Sequence, residues 1–224
     1  NAIIKTPEKA EQVLSSLCIE MDERYKLLAA AGVNEVKSYN NKYKERHLLP
    51  TEGHKHLPYL VVVIDEYADL TMTGGANPDA RKSAKNISDS IVRLAQKGRA
   101  AGLHVIIATQ RPTTNIITGT IKANFPGRMA FKVSAMVDSR TILDRAGAQQ
   151  LVGKGDMLVL GGGSEPVRVQ CAFVDTPEVE AITKYIAHQQ SYLGPAPLPP
   201  VAIEGEESEG PNVDMQNLDP MFEE

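Results

Sequence analysis

The stretch Pro58–Glu66 reads PYLVVVIDE and decides the fold of this 224-residue chain. Its run of β-branched residues, preceded by Tyr59 and Leu60, predicts a strand that is buried on both faces, as inside a parallel sheet. Two carboxylates, Asp65 and Glu66, follow directly at the C-terminal tip of that strand. Because open α/β sheets bind ligands beyond the carboxyl ends of their strands, these two side chains are expected to face a site.

An apolar strand that ends in Asp-Glu is the Walker B pattern of nucleotide-driven motors. In that pattern the Asp holds Mg²⁺ through water, and the Glu polarises the water that attacks the γ-phosphate of the nucleotide. A strand that merely ends in a solvated acidic turn has the same sequence. On these nine residues alone, both interpretations stay open.

The composition is that of an ordinary soluble chain, with 42% hydrophobic residues, 23% charged residues and a net charge of −4. No apolar run approaches the roughly 20 residues of a membrane span, and the N-terminus lacks the pattern of a signal peptide. The mild acidity argues against general coating of nucleic acid, so any DNA contact requires a local basic patch. Cys18, expected on a helix, and Cys171, expected in a strand, are predicted to be reduced thiols of a cytoplasmic protein; a disulfide is the alternative.

The segment before the central strand is predicted to contain one long helix and one loop. Residues 1–5 resemble the tail of a strand, and Thr6-Pro7 is a typical helix start, from which an apolar stripe continues to Gly32. Residues 33–57 are polar and are expected to form a solvated loop. Two histidines of this loop, His54 and His56, lack further ligands at a fixed spacing and do not indicate a metal site.

The segment after the central strand is predicted to form a loop, a helix that begins at Pro78 or Ser83, and a second buried strand over residues 103–109. Residues 75–83 superficially resemble a phosphate loop, but Ala80 replaces the second glycine and Pro78 has no N–H to offer. The chain therefore carries a Walker B motif and no Walker A motif. Gln110, at the tip of the second strand, can donate to phosphate and accept from water, which suits a γ-phosphate sensor; a simple turn is the alternative.

The second half of the chain predicts a strand over 129–133, a short helix that begins at 138–140, a β-hairpin built from 157–160 and 167–173, and a helix over 176–186. From about residue 192 the composition becomes proline-rich and then acidic, as in a linker. The predicted domains are residues 1–191, a linker over 192–216 and the truncated start of another domain over 217–224.

Seven stretches together resemble the motor domain of the FtsK/SpoIIIE family of double-stranded DNA translocases, and they occur in the family's order and spacing between about residues 15 and 175. These stretches are 20–28, 63–70, 93–104, 108–112, 118–124, 138–144 and 153–158. Residues 218–224 resemble the start of the winged-helix domain that follows the motor in FtsK proteins, which favours the FtsK branch.

The resemblance implies an α/β fold of the RecA-like P-loop NTPase type, with a parallel-rich sheet flanked by helices. That fold would be partial, because the family's Walker A segment is expected upstream of Asn1. By this resemblance, ATP and Mg²⁺ are the cofactors, Asp65 holds Mg²⁺ through water, Glu66 is the catalytic base and Gln110 is the γ-phosphate sensor. Arg99 matches the family's arginine finger, which reaches the nucleotide of a neighbouring subunit; an arginine favoured by the helix dipole is the alternative.

The resemblance also implies the partners. Arg111, Lys122 and Arg140 match positions that line a central DNA channel and contact phosphates, although each could be a solvated surface charge. Met136 stands where some relatives have a basic residue. The intact protein would be a homo-hexamer that pumps duplex DNA in chromosome segregation and cell division, with division and recombination proteins as further partners. This chain would be a cytoplasmic domain of a protein anchored in the bacterial inner membrane.

Two alternatives remain at this point. One is a secretion-type ATPase of the same superfamily, which moves protein; the other is a non-catalytic module for DNA binding or assembly. Because the chain would supply only half of an ATP site, we expect that alone it neither binds nor hydrolyses ATP measurably.

Overall fold

The computed structural model describes residues 3–72, 77–161, 165–189 and 198–201. Its helices are α1 (Pro7–Ala30), α2 (Val36–Lys44), α3 (Tyr67–Thr71), α4 (Pro78–Lys97), α5 (Gly119–Asn124), α6 (Met136–Leu143) and α7 (Thr176–Ala187). Its strands are β1 (Leu60–Ile64), β2 (Leu103–Ile107), β3 (Gly127–Phe131), β4 (Asp156–Gly161) and β5 (Val167–Gln170). Most of the predicted linker and all of residues 217–224 lie outside the described residues.

The strands form two sheets. β1 pairs with β2 in parallel, with Leu60 opposite Leu103 and Ile64 opposite Ile107. β3, β4 and β5 form an antiparallel sheet in that order. The prediction of an α/β fold with parallel pairing of the two central strands is confirmed, and the predicted β-hairpin is the β4–β5 pair.

Helices α1 and α4 cover one face of the parallel strands and form the main core with them. α1 begins as the sequence predicts, and α4 begins at Pro78, the first of its two predicted starts. Thr6 accepts a hydrogen bond from the Lys9 N–H at 3.4 Å, Asn77 accepts one from the Asp79 N–H at 3.0 Å, and a proline follows each of these cap residues. The apolar stripes then meet between the helices through Leu14, Leu17, Met21, Ile87, Ile91 and Leu94. Burial of each such side chain stabilises the fold by about 1.5–3 kcal/mol, which fixes the strands beneath them.

The prediction that β1 is buried on both faces is wrong for the described structure. Val61 is 61% exposed and Val63 is 66% exposed, and Ile106 of β2 is 51% exposed. Successive side chains of a strand point to opposite faces, and among the described residues α1 and α4 pack against only one of them. A run of β-branched residues therefore predicted the strand but not the second covering layer.

The prediction of a solvated loop over residues 33–57 is also wrong. This segment contains α2 and a short 3₁₀ turn at Pro50–Glu52, and it has its own small core around the fully buried Tyr39. His54 is only 8% exposed, and its Nδ1 lies 2.9 Å from the Tyr39 hydroxyl. The Asn40 side chain closes the segment by bonding both the N–H and the C=O of Leu57.

The ends of the described chain differ in smaller ways from the predictions. Residues 3–5 form no strand, and Cys171 lies one residue beyond β5, while Cys18 is buried in α1; both cysteines are free thiols. α7 begins with a reciprocal capping box between Asp175 and Glu178. No helix in the described ranges combines the length and apolar character needed to cross a bilayer.

Candidate functional site

The carboxylate of Glu66 is the best-connected polar group at the tip of β1. Its Oε1 accepts from the Thr109 hydroxyl at 2.5 Å and from the Ala68 N–H at 3.2 Å. Its Oε2 accepts from the Gln110 N–H at 2.8 Å. The side chain thus caps α3 and at the same time binds the end of β2.

The parallel pairing brings these groups together. Beyond the ladder of β1 and β2, the Ala108 N–H donates to the Ile64 carbonyl at 2.8 Å, and the Tyr67 N–H donates to the Ala108 carbonyl at 2.9 Å. These two bonds extend the contact past the strand ends, so that residue 66 lies directly beside residue 109. The structure therefore places Glu66 and the backbone of Gln110 in contact at one edge of the strand pair.

The hydrogen bonds keep Glu66 ionised. Partial burial acts to raise the pKa of this carboxyl, but the Thr109 hydroxyl, the Gln110 and Ala68 N–H groups and the Arg111 charge outweigh that effect, so the pKa lies below its ordinary value. An ionised carboxylate only accepts hydrogen bonds. Glu66 can therefore orient a water molecule or a hydrated cation at neutral pH.

Asp65 is exposed beside Glu66 and offers a second carboxylate at the same tip. In residues 3–72, 77–161, 165–189 and 198–201, no group of three or more His, Cys, Asp or Glu side chains could hold a metal ion. Mg²⁺ usually keeps several waters and takes one or two carboxylates together with substrate phosphates. Two neighbouring carboxylates fit a largely hydrated Mg²⁺ ion and do not fit an all-protein metal cage.

Arg111 belongs to this carboxylate edge. Its exposed guanidinium lies 3.6 Å from the Asp69 carboxylate, and the backbone N–H of Arg111 donates to the Thr109 hydroxyl at 3.1 Å. Thr109 is the contact residue that the sequence analysis missed. A hydroxyl at the end of the strand next to a Walker B pattern is the signal that could have found it.

Arg99 lies at the opposite end of the strands. It is exposed in the turn between α4 and β2, four residues before Leu103, whereas Gln110 follows the other end of β2. This turn requires glycine at position 98. A Cβ atom there would lie 2.5 Å from the Leu94 carbonyl oxygen and 3.0 Å from the Leu103 carbonyl oxygen. The structure therefore does not bring Arg99 together with Glu66 of the same chain.

Lys122 is bound within the protein. Its ammonium group lies 2.6 Å from Asp144, and Arg128 binds the other oxygen of the same carboxylate at 2.5 Å. The Lys122 hydrogen bond and then the Arg128 hydrogen bond hold the pKa of Asp144 below its ordinary value. Arg140 is exposed on α6, so the three predicted DNA contacts lie on separate elements: after β2, on α5 and on α6.

A further ion pair supports the antiparallel sheet. Arg168 of β5 binds both oxygens of Asp156, at 2.9 and 2.7 Å, and the Val152 N–H adds a third bond to this carboxylate. These bonds lower the pKa of Asp156 to about 2. A cavity of about 480 Å³ beside the pair is lined by Val152, Gly153, Lys154, Asp156, Arg168 and Gln170, away from the tip of β1.

Comparison of sequences points to one family. The family model described as FtsK/SpoIIIE family matches residues 1–114. The curated DNA translocase FtsK of Sporosarcina ureae is 47% identical over 189 residues, which is 84% of this chain and 23% of that protein. DNA translocase FtsK of Chlorobaculum tepidum is 44% identical over 99% of this chain and 26% of its own length. DNA translocase SpoIIIE of Bacillus subtilis is 45% identical over 84% of this chain and 23% of its own length. The chain thus spans about a quarter of the curated relatives that it matches.

Two solved structures with the same fold are a conjugation coupling protein and a secretion ATPase. The pCW3 conjugation coupling protein TcpA, in its monomer form with ATPγS, matches 82% of this chain and 50% of its own with a TM-score of 0.70 and 29% identity. The cytoplasmic domain of the Type VII secretion ATPase EccC of Thermomonospora curvata matches 85% of this chain and 21% of its own with a TM-score of 0.63 and 22% identity. These similarities establish a partial P-loop ATPase fold for the described chain.

Proposed function

This chain belongs to the FtsK/SpoIIIE family, and from that premise we propose that it is the Walker B part of an ATP-driven motor that moves double-stranded DNA. The observation that carries the proposal is the Glu66 carboxylate, held ionised by Thr109 and by the backbone of Gln110 at the carboxyl edge of two parallel strands. Ligands of open α/β sheets bind at that edge.

In this proposal each residue of the edge has one role. ATP bound with Mg²⁺ supplies the γ-phosphoryl group and the charge that organises it. Asp65 binds the waters of the metal ion, Glu66 orients the attacking water, and the Gln110 side chain contacts the γ-phosphate. Catalysis of phosphoryl transfer consists almost entirely of such positioning and electrostatic stabilisation, so this set suits the reaction. On its own, without a Walker A motif, the 224-residue chain is expected to show no nucleotide binding in a titration with ATP.

Arg99 acts on the nucleotide of a neighbouring subunit in this proposal. Its place at the amino end of β2 leaves it on the far side of the strand pair from its own Glu66. A guanidinium supplied from outside the site stabilises the charge that develops during phosphoryl transfer. The proposed assembly is a homo-hexamer, as in the family.

DNA contacts would come from Arg111, Lys122 and Arg140 through phosphates, without sequence reading. The proposed cellular role is chromosome segregation at division, with division and recombination proteins as partners and with membrane anchoring supplied by another part of the protein.

The test is the ATPase activity of the full-length protein with and without duplex DNA. We expect that DNA raises the steady-state rate of ATP hydrolysis several-fold. An ATPase that does not respond to DNA would instead favour a motor that moves protein, and absence of any hydrolysis would favour a non-catalytic module.

The role of Arg99 is tested by mixing two inactive variants. Subunits with Arg99→Ala retain Glu66, and subunits with Glu66→Gln retain Arg99, so mixed assemblies contain some complete sites if the arginine acts across the interface. We expect partial recovery of ATP hydrolysis on mixing. Lys97→Ala, on the same helix end, is the matched control and should remain active. If mixing recovers nothing, Arg99 does not act between subunits.

A further inference from the structure

We propose that Thr109 is a positioning residue for ATP hydrolysis, whose hydroxyl holds the Glu66 carboxylate and the Gln110 segment in one fixed arrangement. The inference rests on the proposed ATPase function and assigns a role to a residue that was not among the predicted site residues.

The Thr109 hydroxyl makes two hydrogen bonds, one as a donor and one as an acceptor. It donates to Glu66 Oε1 at 2.5 Å and accepts from the Arg111 N–H at 3.1 Å. Threonine is β-branched, so its side chain has few rotamers available and the hydroxyl is held in place by the strand end itself. A hydroxyl that donates on one side and accepts on the other can link two segments, here the tip of β1 and the turn after β2.

The bonds also determine which part of Glu66 remains available. An ionised carboxylate has about four acceptor positions. Thr109 and Ala68 occupy the two on Oε1, and Gln110 occupies one on Oε2. One position on Oε2 remains for a water molecule. The Thr109 hydroxyl therefore selects the oxygen and the direction from which Glu66 can orient water.

The same bonds connect Glu66 to the proposed sensor. The N–H of Gln110 is bound to Glu66, and the N–H of the next residue, Arg111, is bound to Thr109. A movement of the Gln110 backbone toward a phosphate would change both bonds together, because both use backbone N–H groups of this segment. Thr109 thus couples the orientation of the water-holding carboxylate to the state of the sensor.

The first test compares Thr109→Val, which keeps the shape and removes the hydroxyl, with Thr109→Ser, which keeps the hydroxyl. In the full-length protein we expect Thr109→Val to lower kcat by about 10- to 100-fold with KM changed less than about threefold. This loss is smaller than the roughly 10²- to 10⁴-fold that a general base contributes, because Glu66 remains but is held less firmly. Thr109→Ser should stay within about threefold of the wild type in kcat. Thr114→Val, at an exposed threonine of the following loop, is the matched control and should have no effect.

The second test does not depend on nucleotide. Residue-resolved hydrogen exchange of the full-length protein should show faster exchange of the Arg111 and Gln110 amides in Thr109→Val and wild-type-like exchange in Thr109→Ser. The Ala108 amide, which is bonded to the Ile64 carbonyl, should be unchanged and reports that the strands remain paired.

Three outcomes would overturn the positioning role: full activity of Thr109→Val, equal losses in the valine and serine variants, or unchanged exchange of the Arg111 amide. If the wild-type protein itself does not hydrolyse ATP, the proposed function fails, which is a different result from an active wild type with an active Thr109→Val variant.

Discussion

Glu66 and Asp144 are both carboxylates whose pKa lies below its ordinary value, but they are held by different kinds of donor. Glu66, at the tip of the parallel strands, is bound by a hydroxyl and two backbone N–H groups, with Arg111 as a weaker influence. Asp144, at the end of α6, is bound by the cations of Lys122 and Arg128. Neutral donors fix a carboxylate without cancelling its charge, whereas two cations more than cancel it.

This difference indicates which region can do chemistry. The tip of β1 keeps two negative charges, on Asp65 and Glu66, and can attract a hydrated cation. The cluster of Asp144, Lys122 and Arg128 has a net charge of about +1. It can link α5, β3 and α6 or bind a phosphate. The comparison therefore predicts a catalytic carboxylate at the first place and a structural one at the second.

The largest expected effect is on ATP hydrolysis by the full-length protein. Glu66→Gln should lower kcat by about 10²- to 10⁴-fold, because the amide orients water poorly and carries no charge. Asp144→Asn should stay within about threefold of the wild type, since this carboxylate does not face the nucleotide edge. Glu23→Gln, an exposed glutamate of α1, is the matched control. Comparable losses in the Glu66 and Asp144 variants would break the comparison.

A smaller effect is expected on DNA affinity. The logarithm of DNA affinity falls linearly with the logarithm of the salt concentration. Removal of one phosphate-binding side chain makes the slope of this line shallower by about 0.9. Arg140→Ala should approach that change, whereas Lys122→Ala should fall short of it, because Lys122 must leave Asp144 before it reaches a phosphate. Asp144→Asn, which releases Lys122, should raise the affinity. Fluorescence anisotropy of labelled duplex DNA across a salt series measures all three, and a larger change for Lys122→Ala than for Arg140→Ala would contradict the assignment.

The smallest effect is on stability and its dependence on pH, and it extends the comparison to Asp156. The Arg168 hydrogen bonds lower the folded-state pKa of Asp156 to about 2 from an ordinary value of 3.8. Its contribution to stability is therefore present above about pH 4 and is lost as the pH falls through about 2. Asp156→Asn should unfold at lower denaturant concentration than the wild type near neutral pH, and the two should converge near pH 2.

Arg168→Gln removes the same pair from the other side and should show the same convergence. The midpoint of urea unfolding of each variant and of the wild type, measured from about pH 7 to pH 2, tests whether the Asp156–Arg168 pair is the source of this stability. A constant difference between the variants and the wild type across that range would show that the pair is not the source of the stability.

The elements with strong local signals could be predicted from the sequence. Thr6-Pro7 marks one helix start, Pro78 was one of two predicted starts of the next helix, and the β-branched runs mark the two parallel strands, because capping and strand preference depend on neighbouring residues. The hairpin and the last helix were found for the same reason. The described structure confirms each of these within a few residues.

The features that depend on distant contacts could not be predicted. β1 has the apolar run that is typical of a strand buried on both faces. The sequence does not reveal what packs on the face that carries Val61 and Val63, and both side chains are exposed. The small core around Tyr39 uses few apolar residues, spread among polar ones, and their burial depends on packing against the end of α1.

The candidate site was partly predictable in the same sense. Two parallel strands place their carboxyl ends at one edge, so the neighbourhood of Glu66 and Gln110 follows from topology. The bond between Thr109 and Glu66 depends on the register of β1 and β2, and the pairing of Lys122 with Asp144 depends on the packing of α5 beside α6. The roles of the seven predicted site residues remain predictions for the experiments above.

The separation of Arg99 from Glu66 has a consequence for symmetry. A five-residue strand is about 17 Å long, so one copy carries an arginine at one end and a carboxylate edge at the other. A twofold axis perpendicular to the strands also pairs each arginine with the other copy's carboxylate edge, but it closes the assembly at two copies. An assembly of more than two copies built from one repeated contact of this kind requires a head-to-tail arrangement, in which every interface is the same and each copy uses two different surfaces. Such a repeat closes into a ring or continues as an open helix, depending only on the rotation from one copy to the next.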